Sequence, residues 1–527
     1  MKPGKIIVFL LFLVLQAAGR LTAQSPALSV SVAELPVQED DSPYRVITLG
    51  RLGVLVVMEQ NDLFAVRPQR GLFFYDENLR KRWQADVEME SRFRYAGHRV
   101  EEDTIRFALL ADSERKEGPE FAELAVCLAD GRHVFRVRSV AAASLKKAGF
   151  AEFKLRPPFW HFLALQKNEY VYCVIDTRTD TLYGTVIAAA RDYACLDWQL
   201  DALGDACFLF RDAKVVDRNL YFKKVSRQGE ELKREIIESP RKDVRLVDAR
   251  LAVKGKDDYL LGGSWNMARA GQTVSAYDQG SETTGLFAMR YRDGSVQDFW
   301  MKGYMEYPDL DTLLGSGEKY RFSQARSKAN GRMLLPDYLS LLSFQSRNGK
   351  FRLTGEVYER VVTTTTEVSY DFYGRMMPYT RVTFEGYRYQ NAFYSEFDSA
   401  LVNSGNSVFD LERQQLYPRL SPLSVAVENP QGDLLYAYVG QAVLHYRVTR
   451  GENGIEPEKT FALTSLFPGD RLQRTWNENL AEWFPGCLLA YGYKQTSNTR
   501  RKGKNRQSVF YMNKVVVETT EAGKTAP

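Results

Sequence analysis

Few side chains in this chain of 527 residues show the spacing that catalysis requires. Ser144 and Lys147 match the S-x-x-K pattern, in which a lysine one helical turn away deprotonates a nucleophilic serine. No K-T-G strand follows, and a pattern with two fixed positions is common by chance. We therefore interpret Ser144 as a surface residue of a short helix.

The histidines and cysteines do not form a metal-binding pattern. Zinc sites carry H-E-x-x-H or closely spaced cysteine and histidine pairs, and neither spacing occurs here. The G-x-S-x-G, G-x-x-x-x-G-K-[ST] and D-x-[DN]-x-[DN]-G motifs of serine hydrolases, nucleotide enzymes and calcium loops are also missing. We therefore assign no catalytic, metal-binding or cofactor-binding residue and expect no cofactor. The four histidines are His98, His133, His161 and His445.

Paired carboxylates are a catalytic arrangement that sequence spacing does not exclude. Glycoside hydrolysis needs two of them about 5–10 Å apart in the fold, and they can be remote in sequence. Asp309 and Asp311 follow two tyrosines, and in a strand their side chains would point to one side. The simpler interpretation is a polar turn, because Pro and Asp between strands mark turns.

Aromatic residues concentrate between Val368 and Phe397. This stretch holds 10 aromatic residues in 30, compared with 66 in the whole chain of 527. One interpretation is packing between adjacent blades or sheets, where large rings fill the space well. The other is an exposed surface for a protein partner or a glycan, since tyrosine and arginine are typical interface anchors. The candidate partner-binding residues are Tyr370, Phe372, Tyr373, Tyr387, Arg388 and Tyr389.

A basic segment near the C-terminus is the second candidate contact. Charge runs between strands are usually solvated, and the functional alternative is a contact to lipid phosphates or to an acidic partner. Elsewhere acidic and basic residues are interspersed, so we expect no nucleic-acid partner. The basic residues are Arg500, Arg501, Lys502, Lys504 and Arg506.

Short β-type segments recur along nearly the whole chain and must position these residues. Runs rich in Val, Leu, Tyr and Phe are separated by turn residues, which indicates an all-β fold. Helices are predicted at two places only, over Val140–Lys147 and over Asp470–Trp483. In the second segment four apolar residues share one helix face, namely Leu472, Trp476, Leu480 and Trp483.

A weak repeat of about 50 residues accompanies the strands. Its unit is an apolar strand, a polar or glycine-containing turn and a second strand, as in Phe74–Leu79 and Met289–Gly294. A period near this length with four short strands is typical of a β-propeller blade, whose faces are buried only against neighbouring blades. The markers of the repeat are Tyr75, Leu128, Asp176, Lys224, Tyr291, Phe344, Glu396 and Tyr446.

These markers predict an all-β propeller of seven or eight four-stranded blades over residues 24–518. The segment 27–32 is expected to pair beside strands at 486–493 and 508–517 and so complete the last blade. The alternative is two β-sandwich-type domains divided near residue 240. Sandwiches give no reason for a 50-residue period, so the propeller is favoured.

The N-terminus predicts export. Lys2 and Lys5 precede an apolar stretch from Ile6 to Ala18, and Leu21-Thr22-Ala23 fits a cleavage site. The stretch is shorter than the roughly 20 residues of a spanning helix, so we predict a signal peptide over residues 1–23 and no transmembrane segment in the mature chain. Cleavage lowers the formal charge from +5 to about +2. Residues 519–527 are expected to form a disordered tail.

Export would permit disulfides, but the five cysteines give no clear framework. An odd number leaves at least one unpaired, and none lies in a C-x-x-C motif. We predict that most are buried as small apolar residues, and that any bridge joins Cys195 to Cys207. The others are Cys127, Cys173 and Cys487.

Four segments carry a family resemblance: the leader ending in Ala23-Gln24, Asp371–Gly374, Phe384–Tyr389 and Phe397-Asp398. They resemble secreted propeller-like proteins of Bacteroidota whose role is uncharacterised, most strongly over residues 280–400 and 485–518. The resemblance implies a β fold and an envelope location, and it carries no catalytic residue. Some proteins exported in that phylum have a C-terminal sorting domain, and Val509–Pro527 does not look like one, which favours the periplasm.

Two classes of function follow. The first is a non-enzymatic binding scaffold for an envelope protein, such as an outer-membrane transport or secretion complex, supported by the aromatic stretch and the missing catalytic motifs. The second is a carbohydrate-active enzyme that uses carboxylates at the central channel of the propeller. Acids that converge beside exposed rings would favour the enzyme, whereas an apolar surface at the rim would favour the scaffold.

Overall fold

The computed structural model describes residues 28–37, 44–59, 69–90, 92–111, 118–212, 219–267, 283–307, 338–347, 349–370, 372–411, 416–417, 420–428, 434–449, 457–467, 469–498 and 506–517. In these residues the strands form eight four-stranded antiparallel sheets. Single 3₁₀ turns lie at Gly50–Leu52, Ala143–Leu145 and Tyr304–Glu306. The fold is a β-propeller, as predicted, and each sheet is a blade.

Seven of these blades are built from four consecutive strands. Blades 1 and 2 contain β2 (Tyr44–Thr48), β3 (Val54–Glu59), β4 (Gln69–Tyr75), β5 (Lys81–Glu88), β6 (Phe93–Glu101), β7 (Thr104–Ala111), β8 (Glu120–Cys127) and β9 (His133–Arg138). Blades 3 and 4 contain β10 (Gly149–Arg156), β11 (Phe159–Gln166), β12 (Glu169–Asp176), β13 (Thr181–Ala189), β14 (Tyr193–Leu200), β15 (Ala206–Asp212), β16 (Leu220–Val225) and β17 (Glu231–Ile237).

Blades 5 to 8 complete the chain. Blades 5 and 6 contain β18 (Val244–Gly255), β19 (Asp258–Met267), β20 (Gly285–Arg292), β21 (Ser295–Gly303), β22 (Tyr338–Arg347), β23 (Lys350–Tyr370), β24 (Met376–Phe397) and β25 (Asn403–Asp410). Blade 7 contains β26 (Val425–Glu428), β27 (Leu434–Gly440), β28 (Val443–Thr449) and β29 (Lys459–Ala462). Blade 8 contains β30 (Arg471–Phe484), β31 (Cys487–Ser497), β32 (Arg506–Val517) and β1 (Leu28–Pro36).

The blades belong to two compact units, the first with blades 1, 7 and 8 and the second with blades 2 to 6. Within each unit, apolar clusters join neighbouring sheets. On β11, for example, Phe162 packs in the cluster shared by blades 2 and 3, and Leu163 packs in the cluster shared by blades 3 and 4. Because successive residues of a strand point to opposite faces, both faces of this sheet are buried, which explains its nearly continuous apolar sequence.

The N-terminal strand completes blade 8, as predicted from the sequence. β1 pairs antiparallel with β32 over nine positions, from Leu28 opposite Val517 to Pro36 opposite Val509. A buried ion pair reinforces this junction, since Glu34 Oε1 lies 2.8 Å from Lys494 Nζ on β31, with 3% of each side chain exposed. The same carboxylate oxygen accepts a hydrogen bond from the Leu466 backbone N–H at 3.0 Å.

Seven of the eight repeat markers lie in or directly after the third strand of seven different blades. A side-chain oxygen caps the turn that follows in several of them. Asp76 Oδ1 accepts the backbone N–H groups of Asn78 and Arg80, and Asp398 Oδ1 accepts those of Ala400 and Val402. The exception is Phe344, which lies in the first strand of blade 6, and blade 8 has no marker.

The predicted helix over Asp470–Trp483 is wrong, because this segment forms strand β30, which pairs with β31. Three register shifts interrupt that pairing. Leu480 and Trp483 pack in different apolar clusters, so the strand is buried on both sides. Its bulges break the regular alternation and produce a spacing that imitates a helix. The helix predicted over Val140–Lys147 is reduced to the single turn Ala143–Leu145.

All five cysteines are unpaired, and Cys173, Cys207 and Cys487 are buried, as predicted for most of them. Burial raises the pKa of these three thiols to about 12. Cys195 and Cys207 lie on adjacent strands but out of register, since Cys195 is opposite Phe210. These buried thiols therefore act as small apolar side chains.

We predict that Lys494→Met destabilises the protein by about 3 kcal/mol, because it leaves the Glu34 carboxylate buried without its charge partner. The double variant Glu34→Gln/Lys494→Met should recover most of that loss, as measured by urea denaturation. The exposed pair Arg132–Asp130 is the matched control, and Arg132→Met should change stability by less than about 0.5 kcal/mol. Equal losses of stability in Lys494→Met and Arg132→Met would contradict the role given to the buried ion pair.

Candidate interaction surface

Blade 6 carries two strands that continue past the rest of their sheet. β23 and β24 have 21 and 22 residues, and the next longest described strand, β30, has 14. β22 pairs with β23 as far as Tyr358, and β25 pairs with β24 from Asn391. Beyond these points β23 and β24 pair with each other from Glu359–Arg388 to Tyr370–Met376. We call residues 359–388 the ribbon.

The ribbon has two chemically different faces, because residues directly opposite in an antiparallel pair point to the same side. Val362 is opposite Phe384, Thr364 is opposite Val382, and Val368 is opposite Pro378. These residues, with Thr366, Thr380 and Met376, form what we call the apolar face. Its large members are exposed to between 41% and 64%: Val362, Val368, Met376, Val382 and Phe384.

The opposite face of the ribbon is polar. Glu367 is opposite Tyr379 and accepts a short hydrogen bond from the tyrosine hydroxyl, and Arg381 lies 3.9 Å from the same carboxylate. This hydrogen bond raises the pKa of Tyr379. The charged groups of the ribbon between Val362 and Phe384 thus lie on this face or at the tip, and the apolar face carries no charge.

The tip of the ribbon is strongly exposed. Phe372 is 98% exposed and Tyr373 is 79% exposed, and their rings contact each other edge to face at 5.6 Å. The Arg375 guanidinium lies 5.7 Å from the centre of the Tyr373 ring. Gly374 turns the chain with φ of 73°, a value that favours glycine. Two candidate partner-binding residues thus lie where a partner can reach them.

The base of the ribbon holds the other candidates in less accessible positions. Tyr387 and Arg388 are half-buried, and Arg388 is 2.8 Å from Glu359 on the paired strand. Tyr387 forms a bridge with Tyr417, next to Gly386, where a Cβ atom would lie 2.9 Å from the Tyr417 carbonyl oxygen. Only glycine fits there without a shift.

Tyr389 does not belong to the exposed surface, in contrast to the prediction. It is fully buried, and its hydroxyl donates to the Ser421 carbonyl oxygen at 2.8 Å. The Tyr389 hydroxyl oxygen in turn accepts a hydrogen bond from the Ser421 backbone N–H at 3.1 Å. Burial raises the pKa of its hydroxyl. Tyr389 thus supports the base of the ribbon. Of the other candidates, the side chain of Tyr370 and residues 500–504 lie outside the described residues, and Arg506 is exposed at the start of β32.

The sequence did not indicate the aliphatic part of this surface. Val362, Val368 and Val382 are ordinary strand residues, and they form one face only in the register that pairs β23 with β24. The run of β-branched residues over 361–366, two valines followed by four threonines, was the available signal, because such residues favour strands. The acids Asp309 and Asp311 lie outside the described residues.

No three His, Cys, Asp or Glu side chains among the described residues are grouped as a metal site requires. The most perturbed histidine is His161, which is fully buried and has its Nδ1 atom 2.7 Å from the Tyr172 hydroxyl. Burial lowers the pKa of His161 to about 4, aided by Arg156 and Arg227. Because both side chains are buried, the His161–Tyr172 pair belongs to the core between blades.

No helix in the described part of the chain is long and apolar enough to cross a bilayer.

No protein-family model and no curated protein matches the sequence. Similar solved structures include the polysaccharide lyase Uly1, with 9% identity, 80% of this chain and 90% of that chain covered, and a TM-score of 0.35. Another is the β-propeller domain of the Trilobed protease from Pyrococcus furiosus, with 8% identity, 80% and 93% coverage and a TM-score of 0.30. A protein of unknown function from Bacteroides caccae has 11% identity, 51% and 84% coverage and a TM-score of 0.27. These similarities concern the fold and carry no argument about activity.

We predict that Phe372→Ala changes the free energy of unfolding by less than about 0.5 kcal/mol, because the ring is exposed. Tyr389→Phe should cost about 1–2 kcal/mol, because it removes the hydroxyl that pairs with both backbone groups of Ser421. Urea denaturation of the two variants measures the difference. A larger loss for Phe372→Ala would show that the tip packs against the protein.

The stability of the protein should depend on pH through His161. The unfolded chain protonates His161 below about pH 6.5 and the folded protein only below about pH 4, so stability should fall by about 3 kcal/mol as pH decreases through this window. His161→Gln should abolish this pH-dependent loss of stability. His133 is exposed, and His133→Gln should leave the loss unchanged. Denaturation at pH 7 and pH 4 tests both variants, and parallel losses in wild type and His161→Gln would refute the assignment.

Proposed function

We propose that the protein is an exported, non-enzymatic β-propeller that binds a protein partner of the cell envelope through the ribbon. The observation that carries this proposal is the exposed apolar face, which projects from blade 6 and ends in Phe372 and Tyr373. Exposed apolar surface that no sheet covers marks a site of association in soluble proteins.

The composition of the ribbon supports a protein partner. Residues 359–388 contain four arginines, four tyrosines, two phenylalanines and two methionines but no lysine. Arginine, aromatic residues and methionine are enriched in protein–protein interfaces, and lysine is depleted. The Arg360 guanidinium lies 5.5 Å from the centre of the Phe384 ring, at the edge of the apolar face. Arginine is common among the residues that contribute most to binding, and here it would lie between the apolar centre and the polar rim of the interface.

The apolar face is too small to hold two copies of the chain together by itself. Its size favours a different partner, one that also contacts residues beyond the face. The face is about 30 Å long and two strands, or about 10 Å, wide. Two copies placed face to face would bury roughly 600 Å² in total, while a stable interface buries roughly 1,200–2,000 Å². A partner whose surface also contacts the tip and the half-buried base at Tyr387 and Arg388 would reach that range.

The location in the envelope rests on the predicted signal peptide over residues 1–23 and on the resemblance to secreted proteins of Bacteroidota. An outer-membrane transport or secretion complex is a partner of suitable place and kind. The basic segment Arg500–Arg506 adds a second contact, to an acidic surface of the same partner or to phosphate groups of lipid.

The test compares Val382→Asp with Thr383→Asp, adjacent exposed residues on opposite faces of the ribbon. Crosslinked, affinity-tagged protein is recovered from the native envelope, and the stoichiometric partner is identified by mass spectrometry, purified and titrated. Val382→Asp should weaken binding at least about tenfold, because it buries an unpaired carboxylate, and Thr383→Asp should leave it within about threefold.

Equal binding by both variants would exclude the apolar face as the interface. Turnover of an envelope glycan that is lost when an acid of the chain is changed to its amide would instead establish the enzyme.

A further inference from the structure

A cleft of about 490 Å³ lies between blades 2 and 3, inside the second unit. This volume is within the range of sites for small organic molecules. Leu110, Leu145, Phe150 and Phe153 form its apolar floor and wall, and Arg94 and Lys147 lie along it. The cleft is far in sequence from the ribbon, and the function proposed above makes no use of it.

The aromatic floor is held in place by a bulge. Phe150 and Phe153 are three positions apart on β10, and a register shift between them places both rings against the cluster shared by blades 2 and 3. The Phe153 ring stacks on Phe162 at 4.7 Å, and the Phe150 ring lies 5.8 Å from the same residue. Buried neighbours thus fix the two rings before any ligand arrives.

The wall of the cleft is also preformed. Leu145 is 2% exposed and lies in the 3₁₀ turn Ala143–Leu145. The Gln166 side-chain amide donates to the carbonyl oxygens of Ser144 at 2.6 Å and Lys146 at 3.1 Å. These two hydrogen bonds tie the turn to the end of β11 on both sides of Leu145 and so hold this part of the lining in place.

Two basic side chains lie along the cleft. Arg94 and Lys147 are both exposed, and the described lining contains no acidic side chain. Tyr95 adds a ring whose hydroxyl lies 2.6 Å from His98 Nδ1. Two cations beside an aromatic floor match a ligand that has an apolar body and one anionic group, because the rings bury the body while the cations remain in contact with water and the anion.

We propose that this cleft binds an amphiphilic organic anion, with its aromatic or alkyl body against Phe150 and Phe153 and its carboxylate or sulfonate between Arg94 and Lys147. The site is independent of the ribbon, so a failed ribbon experiment leaves it standing, and the reverse also holds.

Two fluorescent probes that differ by one anionic group test the proposal. 8-Anilinonaphthalene-1-sulfonate has the sulfonate, and N-phenyl-1-naphthylamine is the same ring system without it. The full chain should bind the sulfonate at least about tenfold more tightly. Arg94→Gln/Lys147→Asn should remove this preference while changing affinity for the neutral probe less than twofold. Asparagine is chosen because Lys147 has φ of 61°, which asparagine tolerates.

Lys146→Asn is the matched control, since Lys146 is exposed beside the cleft and does not line it. Val382→Asp identifies any probe bound at the ribbon. A measurement without substitution uses salt, because raising NaCl from about 50 to 500 mM should weaken binding of the sulfonate severalfold and leave the neutral probe unaffected. Equal affinity for the two probes, insensitivity to salt, or unchanged sulfonate binding in the double variant would each overturn the proposal.

Discussion

The constraint on which this structure depends is that a four-stranded sheet with two apolar faces needs a neighbour on each side. Phe162 and Leu163, adjacent on β11, pack in different clusters, and the same holds for Cys173 and Tyr172 on β12. Within each unit, neighbouring sheets thus cover each other's apolar faces. Exposed apolar side chains line the ribbon, where that cover ends.

Local hydrogen bonding explains why the sequence predicted the blades. In several blades the turn after the third strand is capped by an Asp or Ser oxygen, as at Asp76, Ser226 and Asp398, and such turns leave a short polar pattern in the sequence. The eight repeat markers used to predict the number of blades included Phe344, which lies in a first strand, and included no residue of blade 8. The helix error at β30 has a different cause. Bulges change the phase of the side chains, and no residue type marks them reliably.

The exposed surface of the ribbon was only partly predictable, because residues far away in the sequence determine which of its side chains are exposed. Phe372 and Tyr389 belong to the same aromatic stretch, yet one is 98% exposed and the other is fully buried. What separates them is the point where β22 and β25 stop pairing with the two long strands, and that point depends on residues elsewhere in the chain. Composition identified the stretch, whereas tertiary pairing sets which members face solvent.

The pairing of β1 with β32 also orders events during synthesis. Leu28 is translated near the beginning and its partner Val517 near the end, and the two are roughly 490 residues apart, or about 25–100 s at typical elongation rates. For all of that time β1 has no strand to join, and the Glu34 carboxylate has no lysine. Blade 8 is therefore completed only after β32, the described strand farthest from β1 in sequence, has been made.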